Sequence, residues 1–490
     1  MNSVRWNISD KADTTALIWH GDQLTYGEFG AMVRSAEGTL HELELADGVP
    51  VAILAKKSPR AIATIFACLA AGRPFLLPSV DAGSTVLDSL CEQSGCSHLL
   101  LPGLAGSPFT AVSRPGRPPH RAGAIPPVPA GTGFMLTTSG STGRPKIVPI
   151  PQRAVDRFVA WAGAQFELAP SRTVLNYAPL NFDLCLLDIW ASLAWGARVA
   201  LVDQDQATNA EYLLDTVGTH EVDVVQAVPM FYNLIIEATQ RKRRQLGSVE
   251  HVVSTGDSIP MRTLTELPRL FPNARLYNLY GCTETNDSFL HEVDAATTPH
   301  SPMPLGQPIA GVHSVLVGAD GKIIDGPGTG ELYVTTPFQA SGYLDEVLTK
   351  EKFVSHTDGW DLRRYFRSGD LVRRHDNGAL TLEGRNDFQV KVRGARINTQ
   401  EVEQVLLEHD EVIEAAVIAV ADAVTGHRLH AMVRRDIRGG LNSLQLRQHC
   451  AGRLARTAIP SSMQFSHDPL PKTPTGKIDR NYIKQAQKWG

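Results

Sequence analysis

Short apolar segments alternate with helix-like segments between about residues 50 and 280, and this alternation limits the possible folds more than any other feature. Strand-like runs at 51–55, 74–78 and 198–202 are separated by segments with helical spacing, such as 59–71. Strands that are buried on both faces read as continuous apolar runs, and parallel neighbours need helical crossovers. The pattern therefore predicts an α/β protein with doubly wound, parallel-type sheets.

The pattern changes in the last third of the chain. Up to that point helices are predicted between the strands, for example at 184–197. After about residue 328 β-rich segments dominate, and a smaller α+β unit follows Gly384. A chain of 490 residues is too long for one compact core. We therefore expect a large N-terminal core at 1–386, which includes a β-rich subdomain, and a small C-terminal domain at 387–490.

Composition excludes several classes of function. The formal net charge is −4, which argues against a protein that binds nucleic acid or an anionic membrane surface. The first residues lack the apolar core of a signal peptide, and no apolar stretch is long enough to span a bilayer. The six cysteines form no Cys-x-x-Cys pair, which favours reduced thiols and a cytoplasmic protein. No heptad pattern is present, so we expect a monomer.

The strongest chemical signal is the segment from Leu136 to Lys146, which reads LTTSGSTGRPK. Its hydroxyl groups, glycines and lysine suit a loop that wraps phosphate oxygens with backbone N–H groups and one cation. It is not a Walker loop, because Ile147 follows the lysine where Ser or Thr is required. A Gly/Ser-rich turn between two strands is the structural alternative.

Four more segments carry polar residues in an order that matches a known family. They read NLYGCTET at 278–285, YFRSGDL at 365–371, GRNDFQVKVRG at 384–394 and PKTPTGKIDR at 471–480. Together with 136–146 they resemble the adenylate-forming superfamily, which contains acyl-CoA synthetases, luciferases and the adenylation domains of nonribosomal peptide synthetases. The resemblance covers nearly the whole chain. It implies a large core with a mobile C-terminal lid, and ATP and Mg²⁺ as cofactors.

The resemblance also implies the nucleotide-binding residues. Glu284 would hold Mg²⁺, Thr283 would serve the α-phosphate, and Lys477 would bridge the substrate carboxylate and the α-phosphate. These charges suit the reaction, because a carboxylate attacking a phosphate brings two anions together. Asp370 would accept hydrogen bonds from both ribose hydroxyls. The remaining nucleotide contacts would come from Thr138, Ser139, Gly140, Ser141, Thr142, Gly143, Lys146, Gly256, Asp257, Tyr280 and Arg385.

Two residues at the start of the C-terminal unit take their roles from the same resemblance. Asp387 would be the hinge about which this unit rotates after adenylation, which removes the lysine and presents another face for thioester formation. Gly394 would lie where the pantetheine thiol enters, since a missing side chain permits close approach. An ordinary turn glycine is the alternative for Gly394.

The segment NFDLCLLD at 181–188 bears on the substrate. In amino-acid-activating members of the superfamily an Asp after Phe binds the substrate ammonium, and Asp183 stands at that position. A buried cation needs a paired carboxylate, which makes Asp a suitable residue there. The alternative for Asp183 is a helix N-cap. Asp188 is the competing carboxylate, and its place within a helix favours packing or a salt bridge.

The family resemblance also implies the other residues of the substrate pocket, each by its matching position in the sequence. It comprises Leu184, Leu187, Gln226, Val253, Thr255, Leu279, Asp287 and Ser288. Three leucines and a valine leave little volume, so a small amino acid is expected. Asp287 either pairs with a second cationic group or faces solvent. Free-standing relatives that load D-alanine, proline, glycine-sized or β-amino acids onto a carrier look similar in length.

The expected activity is therefore ATP-dependent formation of an aminoacyl-AMP, followed by transfer to a thiol. Only ten residues follow Arg480, too few for a carrier domain, so the phosphopantetheine thiol is expected on a separate carrier protein. The leading alternative is an acyl- or aryl-CoA ligase that acts on an amine-free acid, with Asp183 as a cap. A catalytically silent binding protein is the third reading.

Overall fold

The structure is a computed structural model that describes most of the chain. It describes residues 12–103, 107–113, 128–138, 145–242, 244–294, 303–355, 363–385, 389–422, 426–435, 440–472 and 478–486. The chain divides into two compact units. The first comprises Met1–Val80, Cys91–Leu136 and Ile147–Asn386. The second comprises Asp81–Leu90, Thr137–Lys146 and Asp387–Gly490.

Strands and helices are numbered in chain order. Those that begin before residue 200 are β1 (Thr15–Trp19), β2 (Asp22–Thr25), α1 (Tyr26–His41), β3 (Val51–Ile53), α2 (Pro59–Ala70), β4 (Phe75–Leu76), α3 (Ser84–Ser94), β5 (His98–Pro102), β6 (Phe109–Ser113), β7 (Thr132–Thr138), β8 (Lys146–Pro151), α4 (Gln152–Gln165), β9 (Thr173–Asn176), α5 (Ser192–Trp195) and β10 (Arg198–Leu201). A π-helical segment, Leu186–Ala191, runs directly into α5.

Those between residues 200 and 386 are α6 (Ala210–Thr219), β11 (Val224–Ala227), α7 (Pro229–Lys242), β12 (His251–Thr255), α8 (Met261–Leu270), β13 (Arg275–Cys282), β14 (Asn286–Val293), β15 (Gln307–Pro308), β16 (His313–Val317), β17 (Gly328–Thr335), α9 (Glu346–Lys352), β18 (Phe353–Ser355), β19 (Arg364–Arg374) and β20 (Leu380–Arg385). The remaining elements are β21 (Gln389–Val392), β22 (Ala395–Asn398), α10 (Thr399–Leu407), β23 (Val412–Asp422), β24 (Gly426–Arg435), α11 (Ser443–Ala451), β25 (Ser462–Ser466) and α12 (Arg480–Ala486).

A nine-stranded sheet forms the centre of the first unit. Its order is β15-β14-β13-β12-β11-β9-β10-β1-β2, and the six strands from β13 to β1 pair in parallel. All four residues of β9 and all four of β11 are buried. These strands are mostly apolar because helices cover both faces of the sheet. The carboxyl ends of β11, β12 and β13 therefore lie side by side.

Two further sheets complete the first unit. The six-stranded sheet has the order β6-β5-β3-β4-β7-β8, and β3 pairs in parallel with both β4 and β5. The other sheet is antiparallel, with the order β16-β17-β19-β18 and β20 paired to β19. Local signals agree with these elements. Ser58 caps α2 by accepting a hydrogen bond from the Ala61 N–H, and Pro59 occupies the first turn, where its missing N–H costs nothing.

In the second unit, a three-stranded sheet of β23, β24 and β25 packs against helices. Val402, Leu406, Leu446 and Cys450 form part of its apolar core. Helix α11 begins at Ser443 and is capped by Asn442, whose side chain accepts hydrogen bonds from the N–H groups of the next turn. Ser443 thus starts a helix, as the sequence indicated.

The predicted fold class is confirmed, with one correction in the helices. The sequence predicted one uninterrupted helix at 184–197, but the structure contains π-helical turns at Leu186–Ala191 and only one α-helical turn after them. The Ser192 hydroxyl donates to the Leu187 carbonyl at 2.9 Å, which stabilises the wider turn. None of the helices in the described ranges is long and apolar enough to cross a bilayer. Those ranges include all six cysteines, and none forms a disulfide.

Candidate active site

One face of the nine-stranded sheet gathers most of the predicted pocket residues. Gln226 on β11 pairs with Val253 on β12, and Thr255 on β12 pairs with Leu279 on β13. Paired residues in neighbouring strands share a face, and so do alternate residues along a strand. All four side chains are nearly or fully buried. The structure thus brings Gln226, Val253, Thr255 and Leu279 together in one wall.

The segment before the π helix supplies the next part of this region. Leu187 is buried, and Leu184 packs against the same apolar cluster that contains Val253 and Leu279. Asp183 lies in the preceding turn, where its carbonyl accepts a hydrogen bond from the Leu186 N–H at 2.9 Å. The N-cap position of this helix belongs to Cys185, and no side chain caps it. The helix-cap interpretation of Asp183 is therefore not supported.

A buried polar network lies behind this wall. Asp188 is fully buried, and its two carboxylate oxygens accept hydrogen bonds from Asn176 Nδ2 at 3.1 Å and Gln226 Nε2 at 2.9 Å. Lys57 is also buried, and its ammonium donates to the carbonyls of Asn176 and Tyr177 at 2.9 and 3.1 Å. Burial raises the pKa of Asp188 and lowers the pKa of Lys57, while the charge of each favours the ionised form of the other. Asp188 is thus a packing residue with polar partners.

Asp287 lies on the same face as the pocket wall. It pairs with Gly281, which alternates with Leu279 along β13. The register shifts at this point and leaves Ser288 as an extra residue in β14, where it is fully buried and its hydroxyl donates to the Asn286 carbonyl. Loss of solvent raises the pKa of Asp287 well above its usual value, and the negative charges of Asp183 and Asp188 raise it further. Among the described residues no cation forms an ion pair with Asp287, and its side chain is only partly buried.

Asp370 is the centre of a second polar group on the antiparallel sheet. It is buried, pairs with Arg385 across β19 and β20, and accepts a hydrogen bond from the Arg385 guanidinium. The Tyr280 hydroxyl donates to its other oxygen at 2.5 Å. Burial and the adjacent Asp370 charge raise the pKa of Tyr280, so the hydroxyl stays protonated as a donor. Three predicted nucleotide contacts, Tyr280, Asp370 and Arg385, therefore meet in the structure.

Glu284 is held at the loop between β13 and β14. It is almost fully buried, and the Tyr343 hydroxyl donates to its Oε1 at 2.7 Å. Its own carbonyl accepts the Ala340 N–H at 2.9 Å, which fixes the backbone. Thr283 precedes it and is partly exposed. A carboxylate with one oxygen fixed in this way fits Mg²⁺, since that ion is commonly bound by one or two carboxylates together with substrate phosphates.

Gly256 follows the carboxyl end of β12 in a left-handed conformation. Its φ is +80°, and a Cβ at this position would lie 2.9 Å from Val228 Cγ1. Asp257, the next residue, is partly exposed, and its carboxylate accepts the Ser258 N–H at 2.8 Å. Glycine is thus required at this position both by the left-handed backbone conformation and by the lack of space for a Cβ atom. It places this turn beside the carboxyl ends of the parallel strands.

Replacing Gly256 by alanine is expected to destabilise the protein by about 1–3 kcal/mol, because the left-handed backbone and the close Val228 methyl both oppose a side chain. Gly21→Ala is the matched control, since Gly21 has φ +89° but a Cβ there would have no atom within 4 Å. Urea unfolding of both variants measures the difference. Equal losses would contradict a steric role for Val228.

The structure describes only some of the remaining predicted site residues. Thr138 ends β7 and Lys146 begins β8, both are buried, and these strands are neighbours in their sheet. Gly394 has φ +80° and, with Arg393, forms the two-residue turn that joins β21 to β22. That turn alone accounts for the glycine. The predicted residues outside the described ranges are Ser139, Gly140, Ser141, Thr142, Gly143, Asp387 and Lys477.

Comparison with known proteins identifies the family. The model of the AMP-binding enzyme family matches residues 4–344, and that of the AMP-binding enzyme C-terminal domain matches residues 401–477. The chain belongs to the AMP-binding enzyme family. It is 31% identical to L-proline–[L-prolyl-carrier protein] ligase of Streptomyces coelicolor, over 94% of this chain and 91% of that protein. This membership implies that the chain is an enzyme that uses ATP.

Two other proteins are similar to this chain, one in sequence and one in fold. D-alanine–D-alanyl carrier protein ligase of Bacillus licheniformis is 26% identical, over 99% of both chains. The solved structure of o-succinylbenzoate CoA synthetase from Bacillus subtilis superimposes with a TM-score of 0.82 at 20% identity, covering 99% of this chain and 98% of that one. The second match supports the fold alone.

Sequence reasoning missed three residues that organise the site of this family member. Lys57 and Asn176 hold the buried network around Asp188, and Tyr343 holds Glu284. Two of them had a visible signal. Lys57 follows the apolar strand β3, and Asn176 interrupts the apolar run of β9. A polar residue at the carboxyl end of a buried parallel strand indicates a functional edge.

Proposed function

We propose that the protein activates a small amino acid with ATP as an aminoacyl-AMP and then transfers the acyl group to the phosphopantetheine thiol of a separate carrier protein. The observation that carries this proposal is the position of Asp183. It lies in the turn that leads into the π helix, directly before Leu184, whose carbonyl accepts a hydrogen bond from Gln226 of the pocket wall at 3.0 Å. A carboxylate beside an apolar pocket suits a substrate ammonium.

The relatives support the amino acid and the carrier. By their names, the Streptomyces coelicolor protein acts on L-proline and the Bacillus licheniformis protein on D-alanine, and both deliver to carrier proteins. Both substrates are small. The buried side chains of Leu187, Val253 and Leu279 leave this pocket little room, which agrees with a small substrate.

The nucleotide would bind along the other polar residues. Asp370 is suited to accept hydrogen bonds from the ribose hydroxyls, and Arg385 and Tyr280 hold it in place. Glu284 would hold Mg²⁺, with Thr283 near the α-phosphate; the ion would supply positive charge that offsets the negative charge of the phosphates. Lys477 would bridge the substrate carboxylate and the α-phosphate. Thr138, Lys146 and the loop between them would contact the phosphates.

The second step would use a different arrangement of the chain. Asp387 would serve as the hinge of the C-terminal domain, 387–490, and Gly394 would border the path of the pantetheine thiol. We place the enzyme in the cytoplasm, because none of its six cysteines forms a disulfide.

ATP–pyrophosphate exchange with a panel of α-, D- and β-amino acids tests the proposal. One small amino acid is expected to give strong exchange, and Lys477→Ala is expected to abolish it because the bridging cation is lost. Incubation with a phosphopantetheinylated carrier protein should then consume the adenylate and yield an acylated carrier, which mass spectrometry detects.

Three outcomes would contradict the proposal. Exchange with amine-free acids alone, with acyl transfer to CoA, would identify an acyl- or aryl-CoA ligase. Full retention of activity in Lys477→Ala would remove the catalytic role of that residue. If no acid supports ATP–pyrophosphate exchange although the protein still binds ATP, the chain would be a binding protein with this fold.

A further inference from the structure

The carboxylate proposed to hold the metal has a hydroxyl partner that plays no part in the proposed reaction. The Tyr343 hydroxyl donates to Glu284 Oε1 at 2.7 Å, and the two residues are 5% and 1% exposed. A hydrogen bond to a buried carboxylate is charge-assisted and therefore strong. It restrains the rotation of the Glu284 carboxylate and engages one of its two oxygens.

The backbone of Tyr343 is itself fixed by one side chain. The Thr349 hydroxyl accepts a hydrogen bond from the Tyr343 N–H at 2.8 Å and donates to the Tyr343 carbonyl at 3.0 Å. A Cβ at Gly342 would lie 2.6 Å from the Thr349 methyl carbon, so glycine permits this approach. The Tyr343 ring packs edge-on against Phe353, with the ring centroids 5.7 Å apart. Backbone and ring together fix the direction of the hydroxyl.

Backbone hydrogen bonds attach the same segment to the strands around it. The Ala340 N–H donates to the Glu284 carbonyl at 2.9 Å, and the Leu344 N–H donates to the Ile147 carbonyl on β8 at 3.1 Å. Glu284 and Tyr343 are thus fixed relative to each other through the backbone as well as through their side chains. The orientation of the carboxylate is therefore set by the protein before any metal binds.

The number of carboxylate oxygens offered to a metal affects which cation binds well. Mg²⁺ is small, requires near-octahedral geometry and keeps several of its waters, which suits a carboxylate that offers one oxygen. Ca²⁺ is larger, takes more ligands and accepts both oxygens of one carboxylate. The Tyr343 hydroxyl competes with a metal for Oε1, so Glu284 is oriented to offer its other oxygen.

We propose that Tyr343 is a positioning residue that selects the metal: its hydroxyl, fixed by Thr349, makes Glu284 a one-oxygen ligand and so favours Mg²⁺ over Ca²⁺. The inference rests on the proposed function, in which Glu284 holds the metal that accompanies ATP. Without the hydroxyl, Glu284 can turn and offer both oxygens, which the larger cation accepts. Tyr343 acts through Glu284 alone.

Nucleotide binding measures this selection without turnover. The probe is α,β-methylene-ATP, which cannot be cleaved between its α- and β-phosphates, titrated calorimetrically into the full-length protein with Mg²⁺, with Ca²⁺ and with EDTA. In wild type, Mg²⁺ should tighten binding more than Ca²⁺ does. Tyr343→Phe is expected to reduce the ratio of these two affinities by about 10-fold or more, the usual effect of removing the partner of a metal ligand. Binding in EDTA should stay unchanged, because Glu284 then has no metal to hold.

ATP–pyrophosphate exchange gives a second readout. The Mg²⁺ concentration for half-maximal exchange should rise by about 10-fold in Tyr343→Phe, with a smaller change in kcat at saturating Mg²⁺. Thr349→Val removes both hydrogen bonds to the Tyr343 backbone and should shift the affinity ratio in the same direction by a smaller factor. Thr349→Ser keeps the hydroxyl and should match wild type.

Tyr26→Phe is the matched control. Tyr26 is also buried, and its hydroxyl donates to the carbonyls of Leu193 and Ala197 at 3.2 and 2.8 Å, but none of these three residues belongs to the candidate site. The variant thus loses a buried tyrosine hydroxyl of the same kind, and its ratio of Mg²⁺ to Ca²⁺ affinity should equal that of wild type. Thermal unfolding of both variants identifies the loss of stability that they share.

The outcomes separate this inference from the proposed function. An unchanged affinity ratio in Tyr343→Phe would overturn the inference, and an unchanged ratio in Thr349→Val would do so if Tyr343→Phe does not fold. Equal weakening of binding with Mg²⁺, Ca²⁺ and EDTA would assign Tyr343 to the fold and would also overturn it. If the metal preference changes as expected but no acid supports exchange, the inference stands and the proposed function fails.

Discussion

Asp183→Ala is expected to lower kcat/KM for the amino acid in ATP–pyrophosphate exchange by about 150-fold or more. The reason is that the variant would leave the substrate ammonium in a largely apolar pocket without its counter-charge, and removing one partner of a desolvated ion pair costs about 3–5 kcal/mol. The affinity for ATP should change little, since Asp370, Tyr280 and Arg385 lie in a different group of contacts.

The deaminated analogue of the preferred amino acid provides the decisive control. Wild-type protein should reject this acid, because it lacks the ammonium that Asp183 is proposed to bind. The Asp183→Ala variant should lose that discrimination and use the two acids at similar, low rates. Asp205→Ala is the matched surface variant, since Asp205 is 69% exposed and pairs with Lys56, which is 63% exposed; its activity should stay within about 2-fold of wild type. An Asp183→Ala variant that keeps its preference for the amine would contradict the ammonium role.

The sequence was sufficient to predict the fold class because the strands of the parallel sheets have a distinctive pattern. β9, β11 and β12 are short, fully buried and mostly apolar strands separated by helical segments, a pattern typical of parallel sheets covered by helices on both faces. The π helix at Leu186–Ala191 was not predictable in this way. Its apolar spacing suits an ordinary helix, and what widens it includes a local hydrogen bond from Ser192 to Leu187. The hydrophobic periodicity of the sequence does not reveal that a helical turn contains one additional residue.

The sequence indicated which residues belong to the candidate site, but it did not indicate which of them contact each other. Gln226 and Asp188 were both singled out, but they are 38 positions apart, and nothing in the sequence indicates that the amide of one donates to the carboxylate of the other. That contact depends on the packing of the π helix against β11. The same holds for Glu284 and Tyr343, which are 59 positions apart. The family resemblance supplied the positions of these residues, whereas their hydrogen-bond partners depend on the tertiary structure.

The buried network behind the pocket leads to the largest expected change in stability. Lys57→Met is expected to lower the free energy of unfolding by about 2–4 kcal/mol, because the buried carbonyls of Asn176 and Tyr177 each lose a donor and the fully buried Asp188 loses a nearby positive charge. Asp188→Leu should also destabilise, since the Asn176 and Gln226 amides each lose an acceptor and Lys57 loses a counter-charge.

A double-mutant cycle decides whether these losses are coupled. If Lys57 and Asp188 stabilise each other, the Lys57→Met/Asp188→Leu protein should be more stable than the sum of the single losses predicts, by about 2 kcal/mol or more. The neighbouring pair Lys56–Asp205 is the matched control: its N–O distance is 2.9 Å, but the side chains are 63% and 69% exposed, so its coupling should stay below about 1 kcal/mol. Urea unfolding followed by tryptophan fluorescence measures both cycles. Equal coupling in the two pairs would show that burial does not strengthen the Lys57–Asp188 interaction, and the network would then serve only to hold the Gln226 amide in place.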